Sequence, residues 1–444
     1  MISAELNEYS CKISKELGLR GGYCIGLVKD GQVEDILCAG FCDEEQKSNI
    51  NKRTSFPFSC NTKMLTALLA YDLADIDFPV SSLCKIKFSN NYITKNITLR
   101  DLLCHRSGIC PNTLWTYLTL EQDVEDTIGV LPMLKAESFR SKYIYSNYTY
   151  SIVGYILEKL CKMNFKDLLN VELADKVGIG KFNFYEKDNE LNKSNILAKP
   201  FFRNKKEYDE GELLNVYALN PASGLIVTIE EALGIMIYML ELSKNGKYKR
   251  FFSPNIISND MKYYKETGYE KYALGLYHKE VYGYEAYYHL GYIVGYSSFV
   301  GFVPEINCGI VVLCNNEKTV FPRIIAYKAL EMYCEIKETN WKSRLLKEQM
   351  WGEYARRTFE NKIVNLDDKR SAKKYKIHIS KYGLVGEIDL EKMLIQINNH
   401  SYHLLPIHEK QYYTYIKELN DYLILSLDER LSMFGTNMID RLIF

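Results

Sequence analysis

Cys60 and Lys63 are separated by two residues in FPFSCNTKMLTALLAYDLAD, where a short polar turn runs into an apolar helical stretch. Residues three apart at a helix start share one face of the first turn, so a thiol and an ammonium there are neighbours. Two effects then favour the thiolate: the positive end of the helix dipole and the adjacent cation. Such a thiolate is a nucleophile and the lysine beside it a base. On its own, Cys-x-x-Lys more often marks an inert buried thiol next to a solvated lysine. The pair therefore carries weight only if other reactive groups accompany it.

Two further pieces supply such groups. Tyr145-Ser146-Asn147 precedes the helical pattern YSIVGYILEKL, which places a phenol and an amide at a helix entrance. A tyrosine held near a lysine can relay a proton. His289-Leu290-Gly291 falls at the edge of a strand-like run. Glycine there lets a substrate backbone come close, and the next N–H, on Tyr292, is available as an oxyanion donor. Singly, Tyr-Ser-Asn reads as a capped loop and His-x-Gly carries almost no information.

In this order and spacing the three pieces resemble the Ser-x-x-Lys, Tyr-x-Asn and Lys/His-x-Gly motifs of the serine β-lactamase and penicillin-binding-protein fold, with cysteine in the nucleophile's place. The resemblance is nearest to the class C β-lactamase-like family, which also holds D-Ala carboxypeptidases, D-aminopeptidases, esterases and acyltransferases. It extends past the motifs. LRDLLCHRSGI resembles the family's LLTHTSGL, YIYSNYTYSIVGYILEK its YSNxGYxLLGxIIE, and NPASGLIVTIEEA its PAGGLxSTxxDLA. HLGYIVGYSSFVGFVPEINCGIVVLCN likewise resembles HTGGTPGFSSxxxxxPxxxxGVVVLTN, so the likeness spans about residues 20 to 335.

The resemblance implies a role for each residue. Cys60 stands for the nucleophile, Lys63 for the general base and Tyr145 for the proton relay to the leaving group. Asn147 would hold a substrate amide, and His289 would replace the strand lysine in binding or proton transfer. The N–H groups of Cys60 and Tyr292, beside Gly291, would form the oxyanion hole.

Departures from the family pattern sharpen these expectations. Ser59 takes the place of the family's glycine. Ser59 and Lys63 are four apart and can also share a face, but Ser59 lies just ahead of the helix and out of register with the oxyanion N–H, so Cys60 is the expected nucleophile. His105 and Ser107 fall in a stretch that is structural in the family. Tyr292 stands where many relatives have a small residue and should narrow the pocket mouth.

The expected activity is acyl transfer through a thioester on Cys60, acting on a peptide-like amide, ester or thioester that is a small molecule or carrier-bound. A thiol needs less activation than a hydroxyl, and the matching Lys63, Tyr145 and Asn147 favour a working enzyme over a relic. An amine is slightly favoured over water as acceptor, because amines attack thioesters readily. Three alternatives stay open: a peptidase or esterase of the same family, a non-catalytic relative that binds a peptide or acyl group, and a serine hydrolase captured as its cysteine variant. No cofactor or metal is implied.

These residues need a mixed α/β fold to position them: a β-lactamase/transpeptidase-like antiparallel sheet flanked by helices, with a helical subdomain inserted. GGYCIGLVKDGQVEDILCAGFC reads as two strands joined at Asp30-Gly31, a strong hairpin signal. The run from Thr62 to Leu73 is apolar on most sides and predicts a buried helix. Helical patterns occupy residues 98 to 240, β character returns at 270 to 315, and a helix follows at 322 to 337. Residues 1–340 are the expected catalytic domain and 345–444 a β-rich domain that resembles a lipocalin-like barrel.

Composition narrows the partners. Lys plus Arg and Asp plus Glu number 56 each, so no net field recruits nucleic acid or an anionic membrane. LGIMIYMLEL is too short to span a bilayer, and MISAELNEYSCKISKELGL lacks the basic start and apolar core of a signal peptide. Twelve cysteines without a CxxC pair suit the buried thiols of a reduced compartment, so a cytoplasmic location is expected. Oligomeric state has no signature in the sequence.

Overall fold

Asp30 and Gly31 both adopt positive φ, +53° and +76°. A two-residue hairpin turn needs this backbone to match the twist of its strands, and β1 (Gly22–Lys29) accordingly folds straight back on β2 (Gln32–Gly40). In the computed structural model the described residues are 2–350, except 46, 110–127, 130, 134–137, 185–195, 205–206, 212, 214–218, 265–267, 318 and 338, together with the strands between 374 and 435. One compact unit ends at Lys342 and a second begins at Ser343.

The hairpin is one end of an eight-stranded antiparallel sheet. Its other members are β3 (Ile256–Tyr264), β4 (Gly268–Tyr272), β5 (Tyr277–Val281), β6 (Tyr284–Ile293), β7 (Tyr296–Val303) and β8 (Cys308–Cys314). The order is β2-β1-β8-β7-β6-β5-β4-β3, so the first hairpin joins the late meander through β1 and β8. Both β7 and β8 are buried along their whole length, as strands covered on both faces must be.

Helices cover the two faces. Tyr23 of β1 packs its ring against Phe321, at the start of the helix Phe321–Tyr333, with ring centroids 4.6 Å apart. Gly26, of opposite parity, faces Leu233 of the helix Ile229–Lys244; a Cβ there would lie 2.7 Å from that leucine. An N-terminal helix, Ile2–Glu16, packs on Phe321–Tyr333 and buries Leu6, Ser10 and Ile13. This stripe is thin, and one of its three members is a serine, so the residue types alone do not announce it.

The helical subdomain brings in Leu99–Leu103, closed by a capping box of Thr98 and Asp101, and the longer helix Asn147–Cys161. The expected buried helix is Lys63–Leu73, whose first eight residues, Lys63 through Ala70, are all buried.

In the second unit, eight consecutive antiparallel strands form two four-stranded meanders, Lys374–Ile379 through His400–His403 and Leu405–His408 through Ser432–Gly435. These two meanders are the ladders seen among the described residues. The reading of a β-rich C-terminal domain holds; a ladder closing the strands into one barrel is not among them.

Candidate active site

The short strand Thr54–Pro57 delivers the chain to the site, and the Phe58 N–H donates to the Leu225 carbonyl at 2.7 Å. Ser59 then takes φ +53°, a left-handed conformation costly for any residue but glycine. Its hydroxyl donates to the Pro57 carbonyl at 3.4 Å, back along its own loop. Ser59 thus fills a glycine-like backbone position, and its oxygen is engaged away from Lys63. Residues Ser59–Thr62 make one 3₁₀ turn that runs directly into Lys63–Leu73.

Asn61 fastens this turn to the sheet. Its Nδ2 donates to the Phe58 carbonyl and to Ser298 Oγ of β7, both at 2.8 Å. Gly291, opposite Ser298 in the β6–β7 ladder, leaves room for that contact: a Cβ there would lie 2.0 Å from Ser298 Oγ and 2.7 Å from Asn61 Nδ2. Gly291 was expected to admit a substrate backbone. The group that comes close is the Asn61 side chain, in the turn that carries Cys60.

Lys63 is fully buried, and its Nζ donates to Asn147 Oδ1 at 2.6 Å and to the Ala222 carbonyl at 3.0 Å. Asn147 is the first residue of its helix. Ala222 lies in the short helix Asn220–Ser223, tied to Lys63–Leu73 by a 2.6 Å bond from Thr66 Oγ1 to the Pro221 carbonyl. The ring of Tyr145 lies under the ammonium, 5.0 Å from Nζ, and that of Tyr150 at 5.4 Å. Among the described residues no carboxylate pairs with Lys63. Burial accordingly lowers its pKa, while the nearby sulfur partly restores it.

Cys60, 8 % exposed, completes the cluster. Its Sγ lies 4.0 Å from Asn147 Oδ1 and 3.7 Å from the Tyr292 carbonyl oxygen. Burial pushes the thiol up, but the charge of Lys63, a hydrogen bond from the Tyr145 hydroxyl and one from the Tyr292 backbone outweigh it, so the thiol ends below its ordinary value. Burial, with the sulfur's charge second, drives Tyr145 the other way, well above a normal phenol. Tyr145 is therefore the donor in that bond and stays protonated. Cys60 and Lys63, both buried, thus share one cluster with the half-buried Tyr145 and Asn147, more than eighty residues further along the chain.

His289 occupies a different place from the one expected of a substrate-binding residue. It is fully buried, with Nε2 3.1 Å from the Tyr272 hydroxyl and Nδ1 2.7 Å from the Leu290 carbonyl. A carbonyl only accepts, so Nδ1 carries the proton and Nε2 accepts from tyrosine. Burial, helped by the charge of Lys63, pushes its pKa down to about 3. The ring is a neutral link between β4 and β6, with both nitrogens engaged. Tyr292, by contrast, is 41 % exposed, with its backbone carbonyl beside the sulfur.

His105 contributes more than the bland reading allowed. Its carbonyl accepts from the Ile144 N–H at 2.8 Å and its Nδ1 from the Ser146 N–H at 3.2 Å, so one residue holds the loop on both sides of Tyr145. Its ring centroid lies 4.4 Å from that of Tyr145. The acceptor on Ala222 was missed outright, because a backbone carbonyl has no side-chain signature; the only hint was the NPASG segment that contains it.

Comparison with known proteins bears on the family and the fold. The family model described as Beta-lactamase matches residues 13–331. Protein flp of Staphylococcus aureus is 22 % identical over 326 residues, which cover 69 % of this chain and 62 % of that protein, so the chain spans less than two thirds of that relative. The octameric penicillin-binding protein homologue from Pyrococcus abyssi superimposes with a TM-score of 0.68 at 18 % identity, covering 98 % of both chains. A class C β-lactamase from Rhodobacter sphaeroides gives 0.58 at 14 % identity, covering 74 % of this chain and 99 % of its own. At these identities the likeness to solved structures is one of fold. Among the described residues no helix is long and apolar enough to cross a membrane.

Proposed function

We propose, from the premise that this chain belongs to the Beta-lactamase family, that it is an acyl-transfer enzyme working through a thioester on Cys60. The observation that carries this reading is the convergence of the Cys60 sulfur, the Lys63 ammonium and the Tyr145 hydroxyl, with the thiol held below its ordinary pKa in spite of burial.

In the first half-reaction the Cys60 thiolate attacks the carbonyl of a peptide-like amide, ester or thioester. The N–H groups of Cys60 and Tyr292 receive the developing oxyanion. An amine leaving group needs a proton as the C–N bond breaks, and Tyr145 supplies it. Lys63 holds the thiolate and stabilises the phenolate left once Tyr145 has given up its proton, and Asn147 orients both Lys63 and the substrate amide. His289 takes no direct part. In the second half-reaction an amine acceptor loses its proton to Tyr145 and displaces sulfur, which re-forms the thiolate. We assign amine rather than water as the favoured acceptor because a thioester is intrinsically more open to aminolysis than an oxygen ester. A reducing compartment such as the cytoplasm is the setting that keeps such a nucleophile active.

Two linked measurements test this. Intact mass after exposure to an activated acyl ester is expected to show one adduct mapping to Cys60; absence of any adduct removes the enzyme reading. With a competing amine, wild type is expected to give more transferred product relative to hydrolysed product than Cys60→Ser. Equal ratios would show that sulfur does not direct the acceptor.

A further inference from the structure

A pair of sulfurs outside this site offers chemistry of a different kind. Cys24 on β1 and Cys38 on β2 are direct partners in the antiparallel ladder, and their Sγ atoms are 2.9 Å apart, inside the van der Waals contact of two sulfurs. Directly opposed residues of an antiparallel pair have Cα atoms spaced within the range a disulfide spans, so the bond needs little backbone movement. The other nearby thiols do not share this geometry. Cys314 pairs with Tyr23 rather than Cys24, and Cys42 lies 3.7 Å from Thr54 Oγ1. No group of three or more His, Cys, Asp or Glu able to hold a metal exists among the described residues, so the pair is not part of a metal site.

The two thiols are unequal. Cys24 is fully buried and also approaches the Asn51 carbonyl at 3.6 Å, whereas Cys38 is half-buried. We propose that Cys24 and Cys38 form a thiol–disulfide couple, which a low-molecular-weight disulfide closes into a cross-strand bridge. The Cys38 thiolate attacks one sulfur of the small disulfide, that S–S bond breaks, and the departing thiolate takes up a proton. Cys24 then loses its proton to solvent and attacks Cys38 sulfur, which expels the second small thiol. Two protein thiols and one small disulfide thus become one protein disulfide and two small thiols. The buried-to-exposed asymmetry assigns Cys38 as the attacking residue, and the hydrogen bond from Cys24, which lowers the Cys38 pKa, agrees with that assignment. The bridge would tie β1 to β2 and replace the Cys24–Cys38 hydrogen bond by a covalent link beside Asn51, which lies three residues ahead of the strand that leads to Cys60. The proposal stands independently of the chemistry assigned to Cys60.

The test is peptide mapping of the full chain, fully reduced, then incubated with oxidised glutathione and alkylated. The expected result is a crosslink between the peptides carrying Cys24 and Cys38, loss of alkylation at both, and reversal by reductant. Cys24→Ser is expected to trap glutathione on Cys38. The thermal midpoint of wild type is expected to rise on oxidation, a readout that needs no variant. Full alkylation of both thiols after oxidation, a glutathione adduct that persists on Cys38 in wild type, or a crosslink from Cys24 to a different cysteine would each overturn the proposal.

Discussion

Cys60, Cys104 and Cys314 are all buried thiols of one unit, yet only Cys60 has its pKa lowered rather than raised. Burial pushes Cys104 and Cys314 up to about 12. Cys314 also receives a hydrogen bond from Asn316 Nδ2 at 3.5 Å, and Cys104 has Arg106 nearby, with Asp101 opposing it. Neither a neutral donor nor a compensated cation overcomes desolvation. Cys60 differs in facing a lysine that no carboxylate neutralises among the described residues, together with a phenol that cannot ionise before it. The comparison teaches that a buried lysine with no carboxylate partner, together with the Tyr145 and Tyr292 donors, can hold a buried thiol below its ordinary pKa, at the expense of the lysine's own solvation.

The largest effect should come from removing the distinctive sulfur. Cys60→Ala is expected to abolish the acyl adduct entirely, whereas Cys104→Ala and Cys314→Ala leave its yield unchanged; intact mass reads both. An adduct that survives in Cys60→Ala would collapse the distinction among the three thiols.

Next in size is the phenol. Tyr145→Phe is expected to slow attack on an amide by roughly 10²–10⁴-fold, the usual range for a lost proton relay, with a much smaller effect on an activated ester whose leaving group needs no proton. Equal losses on the two substrates, compared by steady-state kinetics, would make Tyr145 a positioning group.

Lys63 also acts on its neighbours, which extends the comparison to the histidines. His289 is held neutral by burial and by Lys63, so its folded pKa, about 3, lies below the unfolded value. The native state then binds fewer protons, and the stability His289 contributes is complete above about pH 6.5 and is lost as pH falls toward its folded value. The slope it adds to the acid limb is about 1.4 kcal/mol per pH unit. His289→Gln is expected to flatten that limb in urea titrations; an unchanged slope would mean that the buried ring is not neutral. The smallest effect belongs to an inert thiol: Cys314→Ala is expected to cost on the order of 1 kcal/mol in urea denaturation, with Cys60 reactivity intact.

Much of this arrangement was legible in the residues, for identifiable reasons. Asp30-Gly31 announces its hairpin because few residue pairs tolerate two positive φ angles in succession. The spacing of Cys60 and Lys63 encodes their shared face, and Asn147 opens a helix whose apolar pattern is plain. Other features were hidden because they depend on tertiary partners. Nothing in His289 tells whether its ring meets ligand or protein; Tyr272, on another strand, decides that. The glycine at 291 was legible as a close approach, but what approaches it, Asn61, was not. The carbonyl of Ala222 leaves no trace in residue type, and the ladder partners Cys24 and Cys38 meet only once the β1–β2 register is known.

The most direct measurement of the central claim is the rate of Cys60 alkylation against pH in wild type and in Lys63→Ala. In wild type the titration midpoint should lie below that of an ordinary thiol, because the cation and the donors from Tyr145 and the Tyr292 backbone together outweigh burial. With the ammonium removed, desolvation remains and the midpoint should move above it, toward the behaviour of Cys104 and Cys314. A profile that Lys63→Ala leaves in place would contradict the account, since the sulfur's reactivity would then owe nothing to the lysine beside it.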